Sequence, residues 1–356
     1  MIRPRSDLPG PGPAPIHALV RRAARRIGRV GLALLGVVAA AAAVLWGVLA
    51  LYLGAPGGPR GRLALALVFV AASAALFLAV RPRRRAYLGF AALFALLLAW
   101  WLSIPPRNDR DWQPDVAQLP WAEIAGDTVT VHNVRNLVYR SETDYDLQYE
   151  TRTYRLSELR SLDLVLSYWG SPYIAHTIMS FGFADGRYLA ISIEGRKEKG
   201  EGYSALKGFF RQYELTFVVA DERDVIGVRT DLRDEDVYLF RMRTPPPVVR
   251  GLFLRYLEEI NRLRDRPEWY NALTHNCTTV VRGLAAPGAT RSWRSWKLYV
   301  NGFLPELGHE IGALDQSLPV AELRRRSRIV ERARAAGRAA DFSRRIRQGL
   351  PGIPDA

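Results

Sequence analysis

The sequence predicts an exported α+β domain carried behind three transmembrane helices. Three observations point there. Three apolar runs, each free of internal charge, fall within residues 30–104. Strand-like segments crowd residues 128–243, and helix-like segments dominate from residue 245. Charge is uneven: of a net +15, residues 1–103 carry 13 Arg, no Lys and one Asp, and residues 324–347 carry 10 Arg against Glu331 and Asp341. The stretch between is mildly acidic. Basic residues therefore flank apolar spans and do not line a groove, which argues against nucleic acid as a partner despite a pI near 10.3.

Residues 1–29 form a basic segment expected in the cytoplasm. Residues 30–104 form the anchor, with spans at Val30–Leu53, Leu63–Val80 and Tyr87–Ile104. Each approaches the roughly 20 helical residues that cross ~30 Å of hydrocarbon. The first span is too long for a cleaved signal peptide, and two more follow it. Arg21, Arg22, Arg25, Arg26 and Arg29 precede the first span, and Arg81, Arg83, Arg84 and Arg85 lie between the second and third. Only Arg60 and Arg62 lie between the first and second. Because basic loops stay in the cytoplasm, the N-terminus is expected inside. The chain then crosses a bacterial inner membrane three times, and everything beyond Ile104 lies in the periplasm. Trp100 and Trp101 fall at the outer interface, where amphipathic rings settle. No span holds an internal charge that would mark a substrate path, so the helices are expected only to anchor.

PPRNDRDWQPD, residues 105–115, reads as a Pro-rich linker, and residues 116–356 as the exported domain. Strand-like runs occupy 128–139, 162–170, 176–183, 188–195, 213–220 and 237–243. ADGR at 184–187 is a Gly-containing turn that makes a hairpin of its neighbours. Apolar residues at helical spacing between prolines mark a helix of about five turns over 245–267. NCTTVVRGLAAPG opens a second, short helix stopped by Pro287 and Gly288. An Arg-rich helix near 321–336 closes the pattern, either as a solvated face or lying on anionic headgroups. Asp221, Glu222, Arg223 and Asp224 read as a salt-bridged turn, since no His or Cys stands at ligand spacing for a metal. Walker and dinucleotide glycine patterns are absent, so no nucleotide cofactor is expected.

THNCTT, residues 274–279, holds the only cysteine of 356 residues. In an oxidising compartment a lone Cys is buried and inert, bonded to a partner chain, or a reactive nucleophile. Asn276 can cap a helix that starts at Cys277, where the helix dipole lowers a thiol pKa and favours thiolate. Backbone N–H groups at a helix start also help to hold an oxyanion. A thiol nucleophile needs a base. Of five His, His17 falls on the cytoplasmic side. His275 is too close in sequence to turn toward the thiol, and His132 and His309 read as strand and packing residues. His176 opens a strand whose hairpin partner carries Ser192 and Glu194, either of which can reach back to orient the imidazole. A strand His, a polar orienter on the next strand and a Cys at a later helix start make a papain-type constellation in permuted order.

Longer motifs keep their order along the chain: NVRNLVYRSETDYDLQYETRTY (133–154), AHTIMSFGFADGRYLAISIEGRKEKGEGYS (175–204), YELTFVVADERDVIGVRT (213–230), WYNALTHNCTT (269–279), NGFLPELGHEIGALDQSLPVAELR (301–324) and DFSRRIRQGLPG (341–352). With these motifs, residues 108–352 resemble the DUF4105 family, described as the Lnb N-terminal periplasmic domain. The resemblance implies a permuted papain-like domain of NlpC/P60 type, with the catalytic Cys at Cys277 and the His at His176. It places the third residue in the SIE stretch, with Glu194 favoured over Ser192. The family takes its name from a lipoprotein N-acyltransferase, which carries membrane-associated sequence after its periplasmic domain; here the anchor comes first.

The expected function is a membrane-anchored Cys–His acyltransferase that acts on membrane lipid or lipoprotein substrates through an acyl-thioester on Cys277. Ser192 and Asn276 would support the site, and no metal or other cofactor is called for. A cysteine peptidase or amidase, working on cell-wall peptide with water as acceptor, uses the same residues. A non-catalytic membrane-tethered binding module is the third expectation.

Overall fold

The computed structural model describes residues 16–284 and 295–353, without the side chains of residues 16–19, 22 and 23. The start of the basic N-terminal segment, the side chains of His17 and Arg22, and the helix stop expected at Pro287 and Gly288 lie outside the described residues. The chain divides into two units after Ile104.

The first unit is three helices: α1 (Ile16–Gly54), α2 (Pro59–Ala79) and α3 (Arg83–Ser103). Ala24–Gly54, Pro59–Ala79 and Arg83–Ser103 are each long and apolar enough to cross a membrane. Their outward faces are apolar, with Leu35, Val68 and Leu96 all more than 60% exposed, as suits helices whose surroundings are hydrocarbon. A Cβ at Gly47 of α1 would run into Phe69 of α2 and Leu97 of α3. A residue without a side chain lets the three backbones approach there.

The second unit is a mixed α+β domain. Its first strands are β1 (Trp121–Ala125), β2 (Thr128–Arg135), a small hairpin of β3 (Val138–Tyr139) and β4 (Tyr145–Asp146), and β5 (Tyr149–Arg155). The central strands are β6 (Leu159–Tyr168), β7 (Ala175–Phe183) and β8 (Tyr188–Arg196). A short helix α4 (Ala205–Phe209), then β9 (Glu214–Ala220), α5 (Glu222–Val225) and β10 (Asp236–Arg241) follow. The remaining helices are α6 (Pro246–Asp265), α7 (Cys277–Leu284), α8 (Leu304–Glu310), α9 (Val320–Arg326), α10 (Val330–Ala336) and α11 (Phe342–Arg345). One eight-stranded sheet runs β1-β2-β9-β8-β7-β6-β10, with β5 also paired to β2.

Strand alternation gives the sheet two apolar faces. On one, Leu166, Met179, Phe181, Ile191, Ile193 and Phe217 pack against α6 and α7. α6 turns Val249, Leu252, Phe253, Tyr256, Leu257, Ile260 and Leu263 inward, an apolar stripe at helical spacing. On the other face Val165, Ile178, Ala190, Val218 and Leu239 pack against α10 and the residues around α11. Burial on both faces explains why β6 to β9 read as nearly continuous apolar runs.

Two segments differ from expectation. Residues 105–115 do not hang free as a linker. Arg107 donates its backbone N–H to Glu214 Oε1 (3.0 Å), Asn108 Nδ2 donates to Arg264 O (2.9 Å), and buried Trp112 lies under the Arg196 guanidinium. The Arg-rich helix is two helices, α9 and α10, broken at Ser327–Ile329. There Leu239 donates its N–H to Ser327 O (2.8 Å) and Ile329 donates to Val237 O (2.9 Å). The edge strand β10 has backbone groups to satisfy, and covering that edge outweighs helical continuity.

Phe253 is fully buried and packs on the rings of Phe181 and Phe183 at 4.9 and 5.9 Å. Phe253→Ala should destabilise the domain by about 3–5 kcal/mol. A urea midpoint unchanged from wild type would mean α6 does not close this core.

Candidate active site

The site forms where β7 begins and β8 ends. Extending the β7–β8 register by two residues from Ile178↔Ser192 sets His176 opposite Glu194. His176 Nε2 lies 2.6 Å from Ser192 Oγ and 3.7 Å from Glu194 Oε1. Ser192 donates its hydroxyl to Glu194 Oε1 at 2.8 Å, and Arg229 Nη2 donates to the same oxygen at 3.1 Å. Arg229 comes from a π-helical turn, Val228–Leu232, and its Nη1 also donates to Val225 O (2.7 Å).

These contacts fix where the protons sit. Burial pushes the Glu194 carboxyl up, but Arg229, with His176 and Arg135, outweighs it and holds the group well below the usual carboxylate range. An ionised carboxylate only accepts, so the single hydroxyl proton of Ser192 goes to Glu194. Ser192 Oγ then accepts from His176, which must carry its proton on Nε2. Nδ1 is left with a lone pair, the form a general base needs. Burial, reinforced by Arg229, lowers the His176 pKa to about 3 against the pull of Glu194, so the ring is neutral at pH 7.

Cys277 is the first residue of α7. Asn276 Oδ1 accepts the N–H groups of Thr278 (2.9 Å) and Thr279 (3.1 Å), while Asn276 N–H donates to Thr279 Oγ1 (2.8 Å). This reciprocal pair is a capping box with Thr in the reaching position. Cys277 is 8% exposed, and burial pushes its thiol pKa up. Hydrogen bonding from Thr177 and Thr278 opposes the shift, and Glu194 adds to it. Burial thus works against the lowering expected from the helix end.

Strand alternation sends His176 and Ser192 to one side of the sheet, and α7 packs on the other. At the open end both His176 and Cys277 line one cleft of about 300 Å³, with Glu194, Asn276, Arg229 and Tyr270. Among the described residues Cys277 Sγ has Thr278 Oγ1 at 4.0 Å, and no hydrogen bond joins it to His176. Buried Asn301 ties the two sides together. Its Oδ1 accepts Ala175 N–H (2.8 Å), and its Nδ2 donates to Ala175 O (2.5 Å) and Thr278 Oγ1 (2.8 Å). One amide thus links the residue before His176 to the residue after Cys277.

The other candidates are engaged elsewhere. His275 pairs with Glu268 (3.0 Å), His132 stacks on Trp121 (3.8 Å), and His309 Nε2 lies 3.0 Å from Leu318 O. The acidic turn is taken up by arginines: Asp221 by Arg152 and Arg223, Glu222 by Arg347, and Asp224 by Arg135. Among the described residues no three His, Cys, Asp or Glu side chains gather as a metal would need. Arg229 and Asn301 were not singled out from sequence, although both lie in the ordered motifs.

A buried neutral His with its pKa lowered binds its proton more weakly folded than unfolded. The associated stability is present above the unfolded value near 6.5 and is lost as pH falls toward about 3. The full chain in nanodiscs should therefore lose thermal stability over this window more steeply than His176→Gln, followed by near-UV circular dichroism. Parallel curves for the two proteins would contradict a buried neutral imidazole.

Residues 145–302 match the family model described as the Lnb N-terminal periplasmic domain. No curated protein and no solved structure gives a significant match. The match is narrower than the motif resemblance over 108–352, and it contains His176, Ser192, Glu194, Arg229 and Cys277. Together with three apolar N-terminal helices it fits a membrane-anchored protein. Residues 145–302 thus match the model of the family that the ordered motifs of residues 108–352 resemble, the Lnb N-terminal periplasmic domain.

Proposed function

We propose that this protein is a thiol acyltransferase held at the outer face of a bacterial inner membrane, with its N-terminus in the cytoplasm. The observation that carries the reading is the hydrogen-bonded series Arg229–Glu194–Ser192–His176, which leaves Nδ1 free as a base in the cleft that Cys277 lines. We read this as the papain-type pair in permuted order.

In the proposed cycle an acyl ester of a phospholipid or lipid-modified protein enters the cleft. His176 Nδ1 accepts the proton of Cys277 as Sγ attacks the ester carbonyl. The tetrahedral oxyanion faces the backbone N–H of Cys277, which has no acceptor within its own helix because it comes first. Collapse breaks the ester C–O bond. The alkoxide leaves with the proton held by His176, and the acyl group stays on sulfur as a thioester. An amine, such as a lipoprotein N-terminus, then attacks the thioester, gives its proton to His176 and takes the acyl group as an amide. Cys277 leaves as thiolate and recovers its proton from His176. The resting site holds a neutral thiol and a neutral imidazole, so proton transfer accompanies attack, and the hydrogen bond between them forms when substrate fills the cleft. With water in place of the amine, the same residues hydrolyse the thioester, as a peptidase or amidase would.

A non-catalytic lipid-binding module is the second reading, favoured by the buried, protonated Cys277. The two separate in one experiment. Full-length protein in phospholipid nanodiscs should accumulate a hydroxylamine-labile acyl adduct on Cys277, seen by intact-mass spectrometry. Cys277→Ala should abolish it, and His176→Gln should slow its formation by about 10²–10⁴-fold. Absence of any adduct from wild-type protein supports the binding module instead. Fatty acid release without transfer to an added amine would assign a hydrolase.

A further inference from the structure

Large apolar side chains stand exposed around the cleft. Trp169, Ile174, Tyr203 and Tyr299 line it and are 45%, 46%, 50% and 54% exposed. Tyr173 and Trp296, 57% and 56% exposed, both pack on Phe303 (6.0 and 5.1 Å between ring centroids) just outside it. Five of these six are Trp or Tyr with a polar tip, the residue types that settle at a headgroup boundary. A soluble domain gains nothing by leaving such a rim in water.

The chain's own entry into this domain says what covers the rim. Residues 107–113 lie along the end of β8 that forms the cleft. Arg196 Nη1 donates to Asn108 Oδ1 (3.2 Å), Gln113 donates its N–H to Lys197 O (2.9 Å), and Lys199 donates its N–H to Asp111 O (2.8 Å). Gly195 and Lys197 of the same stretch line the cleft. Arg107 is already bonded to Glu214, so only Pro105 and Pro106 separate it from Ile104 at the end of α3. Three extended links reach roughly 10 Å. The chain therefore enters this domain beside the cleft, a few residues past a helix long and apolar enough to cross a membrane, while the β7–β8 turn at Ala184–Gly186 lies at the opposite end of those strands.

We infer that the aromatic rim is a membrane seat: it rests in the headgroup region of a phospholipid bilayer and opens the cleft onto lipid. The inference concerns binding alone and holds whether or not Cys277 is a nucleophile. It is tested in full-length Cys277→Ala protein, which has no other thiol. Single cysteines replacing Tyr299, Tyr173 or, as the far-end control, Ala184 are labelled with the fluorophore NBD. Each protein is placed in nanodiscs of phosphatidylethanolamine and phosphatidylglycerol, with or without a lipid bearing a nitroxide near its headgroup. Near-UV circular dichroism selects folded variants, and either rim position suffices if the other misfolds. The labels at 299 and 173 should be quenched at least twofold more by nitroxide lipid than the label at 184, with blue-shifted emission. Equal, weak quenching at all three positions overturns the inference and leaves the rim to a soluble protein or peptide.

Discussion

The Ser192 hydroxyl has one proton and two neighbours, His176 Nε2 at 2.6 Å and Glu194 Oε1 at 2.8 Å. The rest of the site depends on which of them receives it. Arg229 settles this by keeping Glu194 ionised, since a carboxylate has nothing to donate. Ser192 then turns its lone pairs to the imidazole, and the imidazole keeps its own on Nδ1. Remove the positive charge of Arg229 and the order loses its cause: a protonated Glu194 could donate to Ser192, and Ser192 to Nε2. A distant guanidinium thus determines the tautomer of the ring through two intervening groups.

Burial sets the resting charge state. Both His176 and Cys277 are taken largely out of water, and burial disfavours the charged form of each: down for the imidazole, up for the thiol. A thiolate–imidazolium pair would need two charges stabilised in a small cleft, with the negative charge of Glu194 working against the thiolate. The neutral pair costs less. It also protects the thiol, because a buried thiol resists oxidation better than an exposed thiolate. Asn301 keeps the geometry without adding charge, since it holds Ala175 and Thr278 with one neutral amide.

Much of this was legible in the chain. The apolar spans have no competing explanation, and β6 to β9 are written in runs such as LVL and TFVV that burial on both faces demands. The cap at Asn276 follows from local chemistry. So does the hairpin that sets His176 near Ser192 and Glu194, because a tight turn fixes register. What was not legible depends on long-range pairing. β5 is YETRTYR, a polar string that becomes a strand because β2 offers it an edge. β1 is short and likewise exists by pairing with β2. The break at Ser327–Ile329 answers to β10, some ninety residues upstream. The direct contact of Ser192, with Glu194 behind it, turns on side-chain reach of about an ångström, which spacing does not resolve. The raised thiol pKa required knowing how completely α6 and α7 close over Cys277.

The segment 107–113 belongs to the site's own surroundings. It lies along the end of β8, next to the cleft and its aromatic rim. The most direct test of the whole arrangement is the tautomer of His176. In full-length, ¹⁵N-histidine-labelled protein in nanodiscs at pH 7, Nε2 should show the shift and one-bond coupling of a protonated nitrogen, and Nδ1 the downfield shift of an unprotonated one. An imidazolium, or a proton on Nδ1, would contradict the account, because neither leaves Nδ1 unprotonated.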